Sequence, residues 1–213
     1  MVTQDVPLFA FDDTGRVQHF ICCFLSPLRA GRLIPSPRHA LRFVSLIPFK
    51  REGRVGGGRL NVWPSFLSFI ARRGGDLEAH ALLLCSLLLG FGLDAYVALG
   101  TARDPFSANG QRGEERDAAW VVTFGLSGSD RPIRVTGYDP VSGYLAPYDR
   151  FAVRFGCEKC TVLFNHRCLF ANTRPQVSAC PVAPCTPQLA KAPGDSAVCQ
   201  ADPLSRPFLL SAQ

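Results

Sequence analysis

The side chains best suited to chemistry in this sequence are its nine cysteines and four histidines. Cys157 and Cys160 form a Cys-x-x-Cys pair, and His166 and Cys168 follow a few residues later. Two cysteines at that spacing with a later histidine and cysteine could hold a tetrahedral zinc ion. The pattern therefore raises the question whether residues 157–185 form a small zinc-binding module.

Two features of this constellation argue against a metal. A single residue separates His166 from Cys168, which is closer than the usual zinc knuckle. Cys157 and Cys160 lie in a predicted strand, where residues three apart point to opposite faces of the sheet. We therefore expect no metal site and no cofactor, and the zinc-binding module stays as an alternative.

A long apolar helix is the strongest structural prediction, and it would position any site at its start. Asp76 can cap it, and Glu78 stands in its first turn, where the helix dipole favours an anion. The helix should continue to about Leu89, and Gly90 and Gly92 should end it. The longest apolar run has thirteen residues. About 20 are needed to cross a bilayer, so no transmembrane segment is expected.

Short strands follow this helix in the sequence. The alternating segments "DAYVALG", "AAWVVTFG" and "IRVTGYD" each predict a strand, and "KCTVLFN" predicts a fourth. The segment "LNVWPSFLSFIARR" before the helix predicts a shorter helix with Pro64 in its first turn. A buried helix followed by a meander of strands predicts an α+β fold, with helices on one face of an antiparallel sheet.

Composition and charge divide the chain into three parts. Residues 60–173 carry the regular patterning and form the predicted domain. Residues 1–59 predict a partly ordered segment with a Gly-rich linker, and residues 174–213 a Pro-rich, disordered tail. Of the net charge of +6, residues 1–60 supply +5, from nine Lys/Arg against four Asp/Glu. Because this excess lies outside the patterned region, we expect no nucleic-acid partner.

The order of these elements resembles the transglutaminase-like division of the papain-like cysteine hydrolases. The segments "GDLEAHALLLCSLLLGFGLDAYVALGT", "AAWVVTFG" and "VLFNHRCLFAN" are similar to the peptidase-like domain of the centrosomal protein of 76 kDa family, which a dynein regulatory complex subunit shares more loosely. The likeness covers roughly residues 43–171. It implies a transglutaminase-like fold, a location in the cytoplasm and cytoskeleton at the centrosome, centriole or ciliary basal body, and a role in limiting centriole duplication.

The resemblance also indicates which positions a catalytic triad would occupy. The family pattern Gly-x-Cys places the nucleophile at Leu77, and the His two residues before a Trp places the base at Ala118. The orienting acid matches Asp139, which precedes a proline. Leucine cannot attack a carbonyl and alanine cannot accept a proton, and losing the nucleophile or base of such a triad costs on the order of a million-fold in turnover. We therefore expect a pseudoenzyme with no catalytic residues.

The vacant triad positions predict a groove for a protein partner. Leu77 would make its floor apolar, Trp120 would form part of its wall, and His80 would be a neighbour. The occupant would be a peptide or an extended tail of a centriolar or ciliary component, and the setting of the family suggests tubulin C-terminal tails. The alternative is an active cysteine hydrolase with an unconventional nucleophile, such as Cys85 or Cys157, although Cys85 is more simply explained as core packing.

Overall fold

A six-stranded antiparallel sheet forms the centre of the fold. The structure is a computed structural model that describes residues 8–13, 16–50, 62–103, 113–125 and 134–172. The strands of the sheet are β3 (Asp94–Arg103), β4 (Glu115–Phe124), β5 (Val135–Asp139), β6 (Tyr144–Pro147), β7 (Cys157–Phe164) and β8 (Leu169–Ala171). They lie in the order β6-β5-β4-β3-β7-β8. Each of the four strands predicted from the sequence is present, and the α+β class is confirmed.

The predicted apolar helix is α3, Leu77–Gly90. Asp76 is its N-cap and accepts a hydrogen bond from the backbone N–H of Ala79 at 2.9 Å. All ten residues from Ala79 to Leu88 are buried, so the helix has no solvent-exposed face over most of its length. Gly90 lies so close to a neighbouring segment that a Cβ there would be 2.0 Å from the carbonyl oxygen of Leu28. The helix was thus predicted correctly, including its cap.

Helix α2 (Phe66–Arg72) is the shorter helix before α3. Ser65 caps it and accepts a hydrogen bond from the N–H of Ser68 at 3.2 Å. Pro64 therefore lies before the helix, and its predicted place in the first turn was wrong. The hydroxyl of Ser65 can satisfy a free N–H at the helix start, and this decides the boundary.

Both faces of the sheet are covered by helices, which corrects the prediction that helices pack on one face only. Ala119 and Val121 of β4 belong to the hydrophobic cluster that contains α3. Trp120 and Val122, which alternate with them, pack on the opposite face with Phe151 of the additional helix α4 (Tyr148–Phe155). Because successive strand residues point to opposite faces, the continuous apolar run in β4 requires a cover on both sides.

The segment before residue 60 shares the core of α3. It contains β1 (Phe9–Phe11), β2 (Gln18–Phe20), two 3-10 turns (Ile21–Phe24 and Gly31–Leu33) and α1 (Pro37–Ser45). Apolar side chains from it, among them Ile21, Leu25, Leu41 and Val44, join the same buried cluster as α3. The division at residues 59 and 60 remains a prediction, and residues 174–213 lie outside the described part of the chain. Among the described residues no helix is long and apolar enough to cross a membrane.

Candidate functional site

Leu77 is the first residue of α3, directly after the N-cap Asp76. Its side chain is partly exposed and packs against the cluster between α3 and the sheet. The start of a helix presents free N–H groups and the positive end of the helix dipole, an environment that lowers the pKa of a thiol. The position that the family resemblance matches to a nucleophile thus lies at a helix start and carries an isobutyl group.

Ala118 and Asp139 lie on the neighbouring strands β4 and β5. Val121 pairs with Tyr138 in the antiparallel register, so one step further Trp120 stands opposite Asp139. Ala118 and Asp139 are therefore diagonal neighbours, and residues at these positions share a face of the sheet. The structure brings these two of the three positions together on the face that carries α4.

The carboxylate of Asp139 is engaged in the turn between β5 and β6. It accepts hydrogen bonds from the N–H of Val141 at 3.0 Å, from the N–H of Ser142 at 3.3 Å and from the hydroxyl of Ser142. This is the hydrogen-bonding pattern by which an aspartate stabilises a tight turn. Its oxygens stabilise this turn, and the diagonal position on β4 is Ala118, which has no imidazole to orient.

Glu78 joins the start of α3 to the start of β4. Burial, with smaller contributions from the carboxylates of Asp76 and Asp117, raises the pKa of Glu78 to about 7. Asp117 directly precedes Ala118, so this interaction places the helix start beside the strand that carries Ala118. Glu78 does stand in the first turn, as predicted. The dipole was expected to favour its charge, but burial and the neighbouring carboxylates outweigh that effect.

His80 is fully buried beneath the helix start. Its Nδ1 lies 2.6 Å from the carbonyl oxygen of Asp76, and its Nε2 lies 3.0 Å from that of Ile47. The ring packs edge-on against Phe69 at 4.9 Å. His80 therefore ties the segment after α1 to the start of α3 and has no surface on a groove.

Trp120 is also fully buried, but on the opposite face of the sheet from α3. Its ring lies 5.7 Å from that of Phe155 of α4. Within the described ranges, the indole Nε1 has no hydrogen-bond partner. The sheet separates Trp120 from the cluster that contains Leu77, so the two do not line one open groove in this conformation. The missed covering element, α4, accounts for the burial of Trp120.

The two cysteines named as unconventional nucleophiles are in apolar surroundings. Cys85 is fully buried in α3, and burial raises the pKa of its thiol. Cys157 lies in β7 beside the cluster that contains Trp120. Cys85 therefore acts as a small apolar core residue in the described structure.

Cys157 and Cys160 pack against the same cluster, which corrects the prediction that they point to opposite faces. Strand β7 shifts its register against β3 at two places, between Leu99 and Gly100 and between Thr101 and Ala102. Each bulge adds a residue to β7 without a partner and resets the alternation of side chains. The sequence has no signal for these two bulges.

His166 and Cys168 lie at the far end of β7 from Cys157. They belong to the turn between β7 and β8, where the thiol of Cys168 is 3.3 Å from the side-chain oxygen of Asn165 and 3.9 Å from the hydroxyl of Tyr96. Burial lowers the pKa of His166 and raises that of Cys168. The part of the chain that the structure describes contains no group of three or more His, Cys, Asp or Glu placed to hold a metal ion.

The structure is an α+β domain with a buried helix, α3, packed on an antiparallel sheet. The first turn of α3 lies beside β4, the second of the long strands. The peptidase-like resemblance implies a buried helix on an antiparallel sheet. The family defined as the CEP76 peptidase-like domain matches residues 61–183, more than half of the chain. The chain therefore belongs to this family of peptidase-like domains.

Several curated proteins are similar to the chain over most of its length. The centrosomal protein of 76 kDa from Danio rerio is 48% identical over 187 residues, which cover 78% of this chain and 25% of that protein. The protein of the same name from Homo sapiens is 39% identical over 140 residues, covering 65% and 19%. Protein CC2D2B from Homo sapiens is 41% identical over 61 residues, 29% of this chain. The chain thus spans about a quarter of the length of the first of these relatives.

Among solved structures, Legionella pneumophila LapG in its EGTA-treated form is 14% identical, with a TM-score of 0.45, over 70% of this chain and 72% of that one. The calcium-bound form is 14% identical, with a TM-score of 0.45, over 71% and 76%. A likeness of this size says nothing about activity. The relatives from Danio rerio and from Homo sapiens that carry the name centrosomal protein of 76 kDa are the guide to setting.

The structure places Glu78 and Asp117 near two of the positions that the family pattern marks, Leu77 and Ala118. The sequence predicted Glu78 only as a helix-start residue and did not single out Asp117. Their proximity depends on how β4 passes the start of α3, which no spacing in the sequence reveals. Asp117 is nonetheless adjacent to the position that the family pattern marks, and that adjacency was the available signal.

Proposed function

We propose that this domain is a pseudoenzyme that serves as a protein-interaction or scaffold module at the centrosome, centriole or ciliary basal body. The observation that carries the proposal is the leucine at the first position of α3, where the family's nucleophile would stand. With alanine at position 118, neither attack nor proton transfer is available from these positions. The proposed location is based on the names of the relatives. A role in limiting centriole duplication would follow from that location.

The carboxylates around the helix start support the loss of activity independently of Leu77. A cysteine protease requires a thiolate, which is stabilised by positive charge and destabilised by negative charge. Here Asp76 and Glu78 flank the position in sequence, and burial together with the carboxylates of Asp76 and Asp117 raises the pKa of Glu78 to about 7. A second anion at residue 77 would meet the same repulsion, so this site favours neutral and apolar contacts.

Binding at the start of α3 is the function that such a site can retain. Leu77 is partly exposed and offers an apolar contact beside a row of polar groups. A peptide or an extended tail of a centriolar or ciliary partner could lie along this edge without being cut. Tubulin C-terminal tails are the first such partner to titrate. Since the tails are acidic and the site carries carboxylates, binding by their glutamate-rich part would require the basic surface described below.

An alkylation experiment tests the inactivity directly. The folded chain would be treated with iodoacetamide at neutral pH, and the rate at each cysteine would be measured by peptide mass spectrometry. The same cysteines in the chain unfolded in guanidinium give the reference rate. We expect each cysteine in the folded domain to react no faster than its unfolded reference. A cysteine that reacts at least about tenfold faster would have a depressed pKa and would indicate an active thiol hydrolase.

The zinc-binding alternative is separated by metal content. Cys157 and His166 lie at opposite ends of β7, and this placement favours a metal-free chain. Mass spectrometry of the metals in protein purified without a histidine tag should show zinc far below one equivalent. Stoichiometric zinc would overturn this part of the proposal.

A further inference from the structure

Three exposed apolar side chains and three exposed basic ones belong to the segments that meet at the ends of α1 and α2 and the start of α3. The apolar ones are Leu46, Phe49 and Ile70, with exposed fractions of 62%, 43% and 46%. The basic ones, also exposed, are Arg42, Lys50 and Arg73. We call this set the basic–apolar surface. Single exposed apolar residues are common, whereas several on neighbouring segments among charged residues are typical of a docking site.

Hydrogen bonds hold the segments that carry this surface beside one another. Leu46 donates its N–H to the carbonyl of Arg42 at 3.2 Å at the end of α1. Four residues later, the N–H of Lys50 donates to the carbonyl of Gly75 at 2.8 Å, and its Nζ donates to the carbonyl of Arg72 at 3.1 Å. The end of α1 is thereby held beside the end of α2. The surface is fixed by hydrogen bonds and does not depend on a loop finding its place.

Arg73 has a backbone conformation that an arginine rarely adopts. It ends α2 with φ 51° and ψ 46°, the left-handed region that favours glycine. Among the described residues it is the one non-glycine residue with positive φ. Arginine there costs free energy that glycine would avoid, and such strain is concentrated at functional sites. Glycine would suit this backbone conformation better than arginine. A functional reason for arginine at this position would therefore lie in its guanidinium group, which glycine lacks.

The charge of the surface defines what it can bind. Within the described ranges neither Arg42 nor Arg73 pairs with a carboxylate. The nearby acids are used internally: Asp13 accepts hydrogen bonds from the N–H of Ser65 and the hydroxyl of Ser68 at the start of α2, and Asp76 caps α3. The uncompensated charge is therefore positive, and an acidic partner complements it.

We propose that the basic–apolar surface docks an acidic amphipathic peptide segment of another protein. Leu46, Phe49 and Ile70 would receive its apolar side chains, and Arg42, Lys50 and Arg73 its carboxylates. The proposal rests on the proposed role as a protein-interaction domain and gives that role a location and a partner chemistry. A protein partner is favoured over a membrane because the relatives are named for the centrosome, an assembly of proteins.

The first experiment uses a defined probe. The probe is a fluorescein-labelled helical peptide of about 18 residues with leucine at positions i, i+3, i+4 and i+7 and glutamate at most others. The control peptide has lysine at every glutamate position. We expect saturable binding of the glutamate peptide to the full chain by fluorescence anisotropy, weakening as salt is raised. Equal binding of the lysine peptide, or no binding of the glutamate peptide, would refute the proposal.

Matched variants locate the binding. Arg73→Glu and Leu46→Ser should each weaken it by about tenfold or more, as expected for contacts at the centre of a small interface. Arg150→Glu and Val153→Ser, two exposed residues of α4 beyond the sheet, should leave it within about twofold; Val153 is 67% exposed, comparable to Leu46. Equal losses at α4 and at the basic–apolar surface would refute the location.

Arg73→Gly separates binding from folding. Because glycine relieves the left-handed strain, its melting temperature should rise by about 2–4 °C while binding falls. Binding of the full chain to phosphatidylserine vesicles without binding of the glutamate peptide would assign the surface to a membrane and overturn the proposal. A fast-reacting thiol in the alkylation experiment would refute the inactivity of the domain but leave these binding results unchanged, so the two failures are distinguishable.

Discussion

The raised pKa of Glu78 predicts how the stability of the folded domain depends on pH. Glu78 has a pKa of about 7 in the folded chain against an ordinary value of 4.5. A carboxyl group with a raised folded pKa holds its proton more tightly in the folded state than in the unfolded state. The favourable contribution of Glu78 to the free energy of unfolding is complete below about pH 4.5. It is lost as the pH rises through about 7. The domain should therefore become less stable between these values, as far as Glu78 contributes.

The size of this effect follows from the shift. One pKa unit corresponds to 1.36 kcal/mol, so a shift of about 2.5 units gives about 3 kcal/mol as an upper bound. Glu78 is partly exposed, and water screens part of the effect. We therefore expect the free energy of unfolding to fall by about 2 kcal/mol from pH 5 to pH 8 through this residue. In a domain whose total stability is about 5–15 kcal/mol, such a change is readily measured.

The variant Glu78→Gln isolates the contribution, because glutamine has nearly the same shape and no charge. Urea unfolding would be followed by tryptophan fluorescence, with the buried Trp63 and Trp120 as reporters, at several pH values from 5 to 8. We expect the variant and the original chain to be about equally stable at pH 5 and the variant to be more stable at pH 8 by about 2 kcal/mol. Since other titrating groups are common to both proteins, they cancel in the difference.

Asp149→Asn is the control for this experiment, because Asp149 is an exposed acid in the first turn of α4. Its stability difference from the original chain should not change with pH by more than about 0.5 kcal/mol, as for an exposed charge. If Glu78→Gln gave the same pH profile as the original chain, the carboxyl group would not be held in a repulsive site. The account of the helix start would then be refuted.

Three further predictions concern packing, capping and the thiols. Asp76→Ala should lower the free energy of unfolding by about 1 kcal/mol in thermal melts, because the first turn of α3 loses its cap; an unchanged melting temperature would contradict this. Gly137→Ala should lower it by about 1–3 kcal/mol, because the new Cβ would lie 2.3 Å from Cγ of Phe151, and a variant as stable as the original would contradict the packing of α4. A maleimide should label Cys23 in the folded chain but Cys85 only after unfolding, and native labelling of Cys85 would contradict its burial.

The parts of the fold that were predicted are those with a strong local pattern. Helix α3 has a capping aspartate, an apolar run and glycines at its end, and the structure follows each of these signals. The strands that follow it alternate or are continuously apolar, and they too were identified. Such elements are specified by nearby residues, so a single sequence is enough to find them.

Helices α1 and α4 were not predicted, although the sequence of α1 carries the signals of a helix. Helix α1 begins with Ser36 as its cap and Pro37 in its first turn, and its buried residues Ala40, Leu41 and Val44 have helical spacing. Prolines in this stretch favoured a linker, although proline in the first turn is compatible with a helix. Helix α4 was also missed; it has only eight residues, and its residues Phe151 and Phe155 belong to the cluster around Trp120.

The candidate site shows the same division between what a pattern fixes and what packing fixes. The family pattern named Leu77, Ala118 and Asp139, and the structure puts the last two on adjacent strands. The family pattern could not reveal that Asp139 is engaged in a turn. Nor could it reveal that His80 and Trp120, the predicted groove residues, are buried on opposite faces of the sheet. These facts depend on contacts between distant segments, for which the sequence offers no spacing rule.

The start of α3 brings these observations together. In a thiol hydrolase the free N–H groups and the helix dipole at this position stabilise an anion. In this chain Asp76 caps the helix, Glu78 is held near a pKa of 7, and Leu77 stands at the position that the family pattern matches to the nucleophile. An added thiolate would have to displace or neutralise one of these carboxylates. Restoring a cysteine at residue 77 would therefore not by itself restore a nucleophile, because the surroundings of the helix start favour its protonated form.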